Sequence, residues 1–142
     1  MIIRKLEKND FEEYISLINN FRPIGLDITK EIFETIYDTI FLNSIIFVVE
    51  FNKSIVASST LLIEQKFIHK LSKYGHIEDV MVNINYRYKG YGKKLIKYIV
   101  DYCKKNKFFK ITLTCKEELI PFYKKNNFEV YQYHMSYLLN IK

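Results

Sequence analysis

The chain has no tryptophan, and its 142 residues include only four glycines, two prolines and two cysteines. So little Gly and Pro excludes collagen-like and low-complexity architectures, and no Pro/Gly/Ser-rich linker or internal repeat divides the chain. The cysteines, Cys103 and Cys115, have the spacing of neither a metal site nor a disulfide framework. Both lie in apolar-periodic segments, as reduced interior thiols do, so no metal is expected and the cytoplasm is the expected compartment. No run of eighteen apolar residues is present to cross a membrane, and Met1 to Lys5 lacks the apolar stretch and small-residue cleavage site of a signal peptide. The expectation is a soluble, cytoplasmic protein with no membrane partner.

What is present is a core. Apolar residues make up 49% of the chain and aromatics 16%, enough for one domain over residues 1–142. The net charge of +6 fits either a nucleic-acid surface or a site for small anions. Its lysines, among them Lys5, Lys53, Lys73, Lys93, Lys97, Lys110 and Lys124, are scattered and form no dense basic run, so no nucleic-acid partner is expected.

Periodicity predicts a strand at Ile2 to Leu6. A helix capped by Asp10 follows, with Phe11, Tyr14, Ile15, Ile18 and Phe21 on one face. Thr29 caps a second helix that carries Ile32, Phe33, Ile36, Tyr37 and Ile40. Two β-rich runs, Ser44 to Phe51 and Ser54 to Lys66, meet at Asn52-Lys53 as a hairpin would, and Gly75 to Asn83 is a further strand. The helix at Gly92 to Asn106 places Leu95, Ile96, Ile99, Val100 and Cys103 on one stripe. A strand at Lys110 to Cys115, a short helix at Glu117 to Asn126 and a last strand near Glu129 to Leu139 complete the chain. This order predicts an α/β (α+β) fold, a mixed and mostly antiparallel sheet flanked by helices on both faces.

Arg87-Tyr88-Lys89-Gly90-Tyr91-Gly92 lies between a strand and the most amphipathic helix. The first amides of a helix have no intrahelical acceptor, and together with the positive end of the dipole they form an anion site. Two residues without Cβ let the backbone close around a diphosphate, and Arg87, Lys89 and Lys93 add charge. Gly-x-Gly alone is weak evidence, because glycine also occurs wherever a turn needs positive φ. It is neither a Walker loop nor a dinucleotide fingerprint.

An Arg-x-x-Gly-x-Gly loop after a strand resembles the acetyl-CoA loop of the GCN5-related N-acetyltransferase (GNAT) superfamily. Three further segments, Glu64 to His69, Gly75-His76-Ile77-Glu78-Asp79-Val80 and Phe122 to Phe128, resemble signature segments of the glucosamine 6-phosphate N-acetyltransferase family, in order and at matching spacing. The resemblance implies the GNAT fold and acetyl-CoA as co-substrate. Its diphosphate would lie on Arg87 to Lys93 and its pantetheine arm along Val80, Met81 and Val82. It also implies a homodimer, for which the aromatic tail Tyr131 to Leu139 would suit an interface.

A sugar ammonium must lose a proton before its nitrogen attacks a thioester, and an acidic dyad suits that task. The family pattern implies that Glu78 and Asp79 contact the amino sugar and that the backbone carbonyl of Thr114 accepts a hydrogen bond from the amine. Adjacent residues in a regular strand point to opposite faces, so only one carboxylate would reach the cleft unless a bulge or splay brings both. Tyr123 is the candidate acid for the departing sulfur, and Lys66 and His69 are candidates for the sugar hydroxyls or phosphate. Cys115 is not expected to form an acetyl-enzyme.

Several positions depart from the family pattern. Phe21-Arg22 replaces a Leu-Thr pair, and Arg22 would either bind a phosphate oxygen or block the pocket. Leu138 stands where relatives place a phosphate-binding arginine, for which Arg22, Lys66 or Lys142 would have to compensate. Thr114 replaces an acidic residue, and Leu119 an asparagine. The function implied is acetylation of D-glucosamine 6-phosphate in the UDP-N-acetylglucosamine pathway. The alternatives are acetylation of another small amine (a different amino sugar, a polyamine or a peptide) and a silent acetyl-CoA-binding module.

Overall fold

The computed structural model describes residues 1–139. Five strands form one sheet in the order β1 (Ile2–Lys5), β2 (Ser44–Phe51), β3 (Ser54–Gln65), β4 (Lys73–Val82) and β5 (Lys110–Leu113). The first three pairings are antiparallel and β4/β5 is parallel. At the β2–β3 turn Asn52 and Lys53 have φ of 50° and 65°. Two successive positive φ values match the right-handed twist of a two-residue hairpin, as expected there.

Alternation along β2 sends side chains to two cores. Ile46 and Val48 face α1 (Phe11–Phe21) and α2 (Lys30–Ile40), where they meet Leu6, Tyr14, Leu17 and Phe33. Phe47 and Val49 face the opposite side, where α4 (Tyr91–Lys105) lays down Leu95, Ile96, Ile99 and Cys103, each no more than 1% exposed. Burial pushes the Cys103 thiol up to about 12, which makes it an inert packing group. The predicted mixed sheet with helices on both faces is thus present.

Four local expectations are corrected. Asp10 does not cap α1 through its side chain. Its carboxylate accepts from both terminal nitrogens of Arg4, at 2.7 and 2.8 Å, and from the Glu7 amide at 2.8 Å, because an arginine fork outcompetes a single helix amide. Phe21 is 49% exposed at the end of α1, beyond the sheet. Ile32 and Ile36 of α2 are also exposed, since Phe33 alone of that helix is fully buried. Thr29 does cap α2, accepting from the Ile32 amide at 3.3 Å.

The fourth correction is the last strand. Residues 129–139 contain no strand and are exposed throughout, with Tyr133 at 98% and Met135 at 92%. A period-2 apolar pattern is only a capacity to pair, and no described strand edge pairs with this segment. Lys142 lies outside the described residues.

Candidate active site

The site begins with a defect in β4. Its ladder with β3 runs from Gln65↔Lys73 to Ala57↔Val82, but slips between Ser58 and Thr60, so that Asp79 and Val80 together oppose Ser59. This is a β-bulge, and Asp79 at its centre has φ of 50°. The Ser59 hydroxyl donates to the Glu78 carbonyl at 3.1 Å and braces it. The extra residue breaks the alternation, so Glu78 and Asp79 are both exposed while Ile77 and Met81 on either side stay buried. The alternative left open by the sequence is thereby resolved: a bulge presents both carboxylates to solvent. Tyr14 of α1 lies within electrostatic reach of Asp79, and burial pushes its phenol up to about 12, with Asp79 adding in the same direction.

The second feature is a splay. β4 pairs with β5 only from Tyr74↔Lys110 to Ile77↔Leu113. From Glu78 to Val82 the β4 edge on that side has no partner strand among the described residues, so its amides and carbonyls can take an extended ligand. Val80, Met81 and Val82 form this stretch. Thr114 is exposed immediately past the end of β5.

The loop at the mouth of the splay leads directly into α4. Gly90 is the N-cap of α4 with φ of 83°, and Lys94 is the first residue to donate back, to the Gly90 carbonyl at 3.0 Å. The amides of Tyr91, Gly92 and Lys93 therefore precede the first intrahelical bond. A Cβ on Gly92 would lie 3.3 Å from both Phe122 Cζ and Val82 Cγ2, so this glycine packs the loop against β4 and the last helix. Arg87 Nε donates to the Val82 carbonyl at 3.3 Å, and Lys89 Nζ to the Asn85 carbonyl at 3.0 Å. Tyr88 is fully exposed. These features fit a diphosphate followed by a pantetheine arm.

Across the splay, α5 (Ile120–Lys124) carries Tyr123, 8% exposed and edge-on to Phe122 and Phe128. Burial raises its phenol, with nearby Cys115 adding. A phenol that keeps its proton is suited to meet a developing thiolate.

The segment after β3 is less ordinary than a solvated loop. In the single turn α3 (Ile68–Leu71), His69, Lys70 and Leu71 have φ of 52°, 59° and 59°. Left-handed geometry costs a non-glycine residue roughly 1–2 kcal/mol. The Gln65 side-chain amide braces the turn, donating to the Leu71 carbonyl at 2.7 Å. As a result His69 stacks on Phe109 at 3.8 Å, and Lys66 stands 5.1 Å from the centre of the Tyr74 ring.

Lys110, which carried no predicted role, lies 4.7 Å from the centre of the same ring. Sequence reasoning also assigned no role to His76, which bonds to Glu64 and Thr112 across three strands. The signal was the period-2 set Tyr74, His76, Glu78 facing Lys110 and Thr112, which becomes visible only with the β4/β5 register. At the end of α1 the Arg22 amide donates to the Ile18 carbonyl at 2.7 Å, while its guanidinium has no hydrogen bond or ion pair among the described residues, and Leu138 is 85% exposed. Leu119 precedes α5 and is 43% exposed.

Comparison with known proteins identifies the class. Residues 10–128 match the model of the acetyltransferase (GNAT) family, and the chain belongs to that family. The glucosamine 6-phosphate N-acetyltransferase of Arabidopsis thaliana is 36% identical over 129 residues, which span 87% of this chain and 86% of that protein. The Candida albicans enzyme of the same name is 30% identical over 129 residues, spanning 86% and 85%. The crystal structure of the Arabidopsis thaliana enzyme superposes over 98% of both chains with a TM-score of 0.89 at 32% identity. Within the GNAT family, the chain thus falls among the glucosamine 6-phosphate N-acetyltransferases. No helix among the described residues is long and apolar enough to cross a membrane.

Proposed function

We propose that residues 1–142 act as one acetyltransferase domain that moves acetyl from acetyl-CoA to the amine of D-glucosamine 6-phosphate. The products are N-acetyl-D-glucosamine 6-phosphate and CoA, which places the reaction in the UDP-N-acetylglucosamine pathway of the cytoplasm. The observation that carries this reading is the bulge at Asp79, which presents two carboxylates beside the splayed edge of β4.

Acetyl-CoA supplies an activated thioester. In this reading the amides of Tyr91 to Lys93, with Arg87 and Lys89, hold its diphosphate, and the Glu78–Val82 edge aligns its arm. Glu78 or Asp79 takes the ammonium proton, directly or through one water, and the Thr114 carbonyl accepts the N–H that orients the nitrogen lone pair. The nitrogen–carbon bond forms, the carbon–sulfur bond breaks, and the Tyr123 hydroxyl gives its proton to the sulfur, while the second proton shed by the acylated nitrogen passes through water to restore the Tyr123 phenol. Transfer is direct, with no cysteine intermediate.

Lys110, and Lys66 beside its partner Glu64, both stand near the Tyr74 ring and support a phosphate-bearing acceptor without the arginine that Leu138 replaces. A thiol-release assay with glucosamine 6-phosphate and unphosphorylated glucosamine tests donor, acceptor and phosphate together. The expected result is turnover of both, with kcat/KM at least about tenfold higher for the phosphorylated sugar. Turnover only of other amines would overturn the acceptor, and CoA binding without turnover of any amine would make the protein a silent module.

The tail supports a homodimer. Tyr131, Tyr133, Met135, Tyr137, Leu138 and Leu139 are each at least 75% exposed, apolar area of the kind that is covered by association. Truncation after Phe128 is expected to convert a dimer to a monomer in analytical ultracentrifugation. A full-length chain that sediments as a monomer at micromolar concentration would reject the dimer.

A further inference from the structure

His76 is held at both ring nitrogens. Nε2 lies 2.9 Å from Glu64 Oε2, and Nδ1 lies 2.5 Å from Thr112 Oγ1. These three residues come from β3, β4 and β5 and share one sheet face, because Leu62↔His76, Glu64↔Tyr74 and His76↔Thr112 are direct register partners. Glu78, two residues along β4, belongs to the same face. The His76 and Glu64 side chains are 31% and 44% exposed and Thr112 is half-buried, so the row is open to solvent rather than sealed in the core.

The proton count along this row has one solution when the imidazole is neutral. Lys66 and His76 both bond the Glu64 carboxylate and hold it below the usual carboxylate range, so it stays ionised and can only accept. Nε2 must then carry the imidazole proton and donate it. Nδ1 is left as a bare acceptor, and the single hydroxyl proton of Thr112 is committed to it. The oxygen of Thr112 is left with lone pairs alone to offer the cleft.

We propose that Thr112, its hydroxyl oriented by His76 and Glu64, is a specificity-determining hydrogen-bond acceptor for the acetyl acceptor, recognising a group that can only donate, the ammonium. The inference rests on the acceptor reading above. It carries a built-in reversal. When His76 gains a proton both its nitrogens donate, Thr112 becomes the acceptor for Nδ1–H, and its own proton turns toward the cleft, where it opposes a donor ligand. Around His76 stand Glu64, paired with Lys66 at the end of β3, and Tyr74 and Glu78 on its own face of β4, with Lys66, Lys110 of β5 and His69 in the turn against the Tyr74 ring. Only Glu64 bonds the ring directly.

The test compares Thr112→Val, which keeps the shape and loses the hydroxyl, with Thr112→Ser, which keeps the hydroxyl. Steady-state kinetics of the full chain are run with glucosamine 6-phosphate from about pH 5.5 to 9. Thr112→Val is expected to raise the acceptor KM roughly three- to tenfold near neutrality, with the acetyl-CoA KM unchanged, and the serine variant to restore it. The KM ratio of the valine variant to wild type should fall toward one at acid pH, where a purely structural defect would keep it constant. A ratio independent of pH, or a valine variant equal to wild type throughout, overturns the proposal.

Long-range proton–nitrogen NMR of the full chain, which has only three histidines, reads the same assignment without turnover. His76 should be the Nε2–H tautomer, with an Nδ1 resonance that moves in Thr112→Val. The Nδ1–H tautomer would overturn the proposal. If the wild-type chain fails to acetylate glucosamine 6-phosphate, the acceptor reading falls and the tautomer alone decides the orientation of Thr112.

Discussion

Replacing Tyr123 with phenylalanine is expected to lower kcat by about a hundredfold, the usual scale for losing one acid aimed at developing charge. The ring keeps its edge contacts with Phe122 and Phe128, so the fold and the acetyl-CoA affinity should change little. That split identifies a group acting in the transition state rather than in binding. It also has a pH signature. Burial raises the phenol above its ordinary range, so Tyr123 holds its proton through neutral pH, and activity that depends on it is lost only as pH rises through that elevated value. Wild-type kcat should therefore carry an alkaline limb above the range of free tyrosine, and Tyr123→Phe should lack it. An unchanged kcat, or the same alkaline limb in the variant, removes Tyr123 from the role.

The second large effect is expected at Gly90. A Cβ there would meet nothing within 4 Å, so substitution does not fail by collision. It fails by conformation, because φ of 83° is a left-handed value that β-branched residues resist. In Gly90→Val the free loop relaxes out of this geometry and must be driven back when the diphosphate binds. The cost is about 2 kcal/mol, or roughly 30-fold in acetyl-CoA affinity. Asparagine tolerates left-handed geometry better, so Gly90→Asn should lose only a few-fold. Calorimetric titration with acetyl-CoA, alongside thermal melts to verify folding, reads both variants. Equal affinity for wild type and the folded valine variant would place the diphosphate elsewhere.

The contrast between these two residues shows what local pattern carries. Gly90 was legible because a glycine pair between a strand and an amphipathic helix is a local arrangement, and its φ follows from its neighbours along the chain. Tyr123 was legible only through its resemblance to a family segment, since nothing local separates it from the other eleven tyrosines. His76 and Lys110 were not legible as site residues at all. Their partners lie 12 to 36 residues away, and their shared face exists only once β3, β4 and β5 are in register. The tail failed in the opposite direction: its alternation reads as a strand, yet pairing requires an edge.

The sequence by itself determined the order of the strands and longer helices as far as α5, the two helical layers and the glycine turn at the start of α4, because hydrophobic period and glycine placement act over a few residues. It left open whether Glu78 and Asp79 could serve one cleft. Only the tertiary structure decided that, by setting Thr60 opposite Glu78 and Ser58 opposite Met81, so that one residue too many had to bulge out of β4. Register is a property of two strands at once, and no reading of either alone contains it.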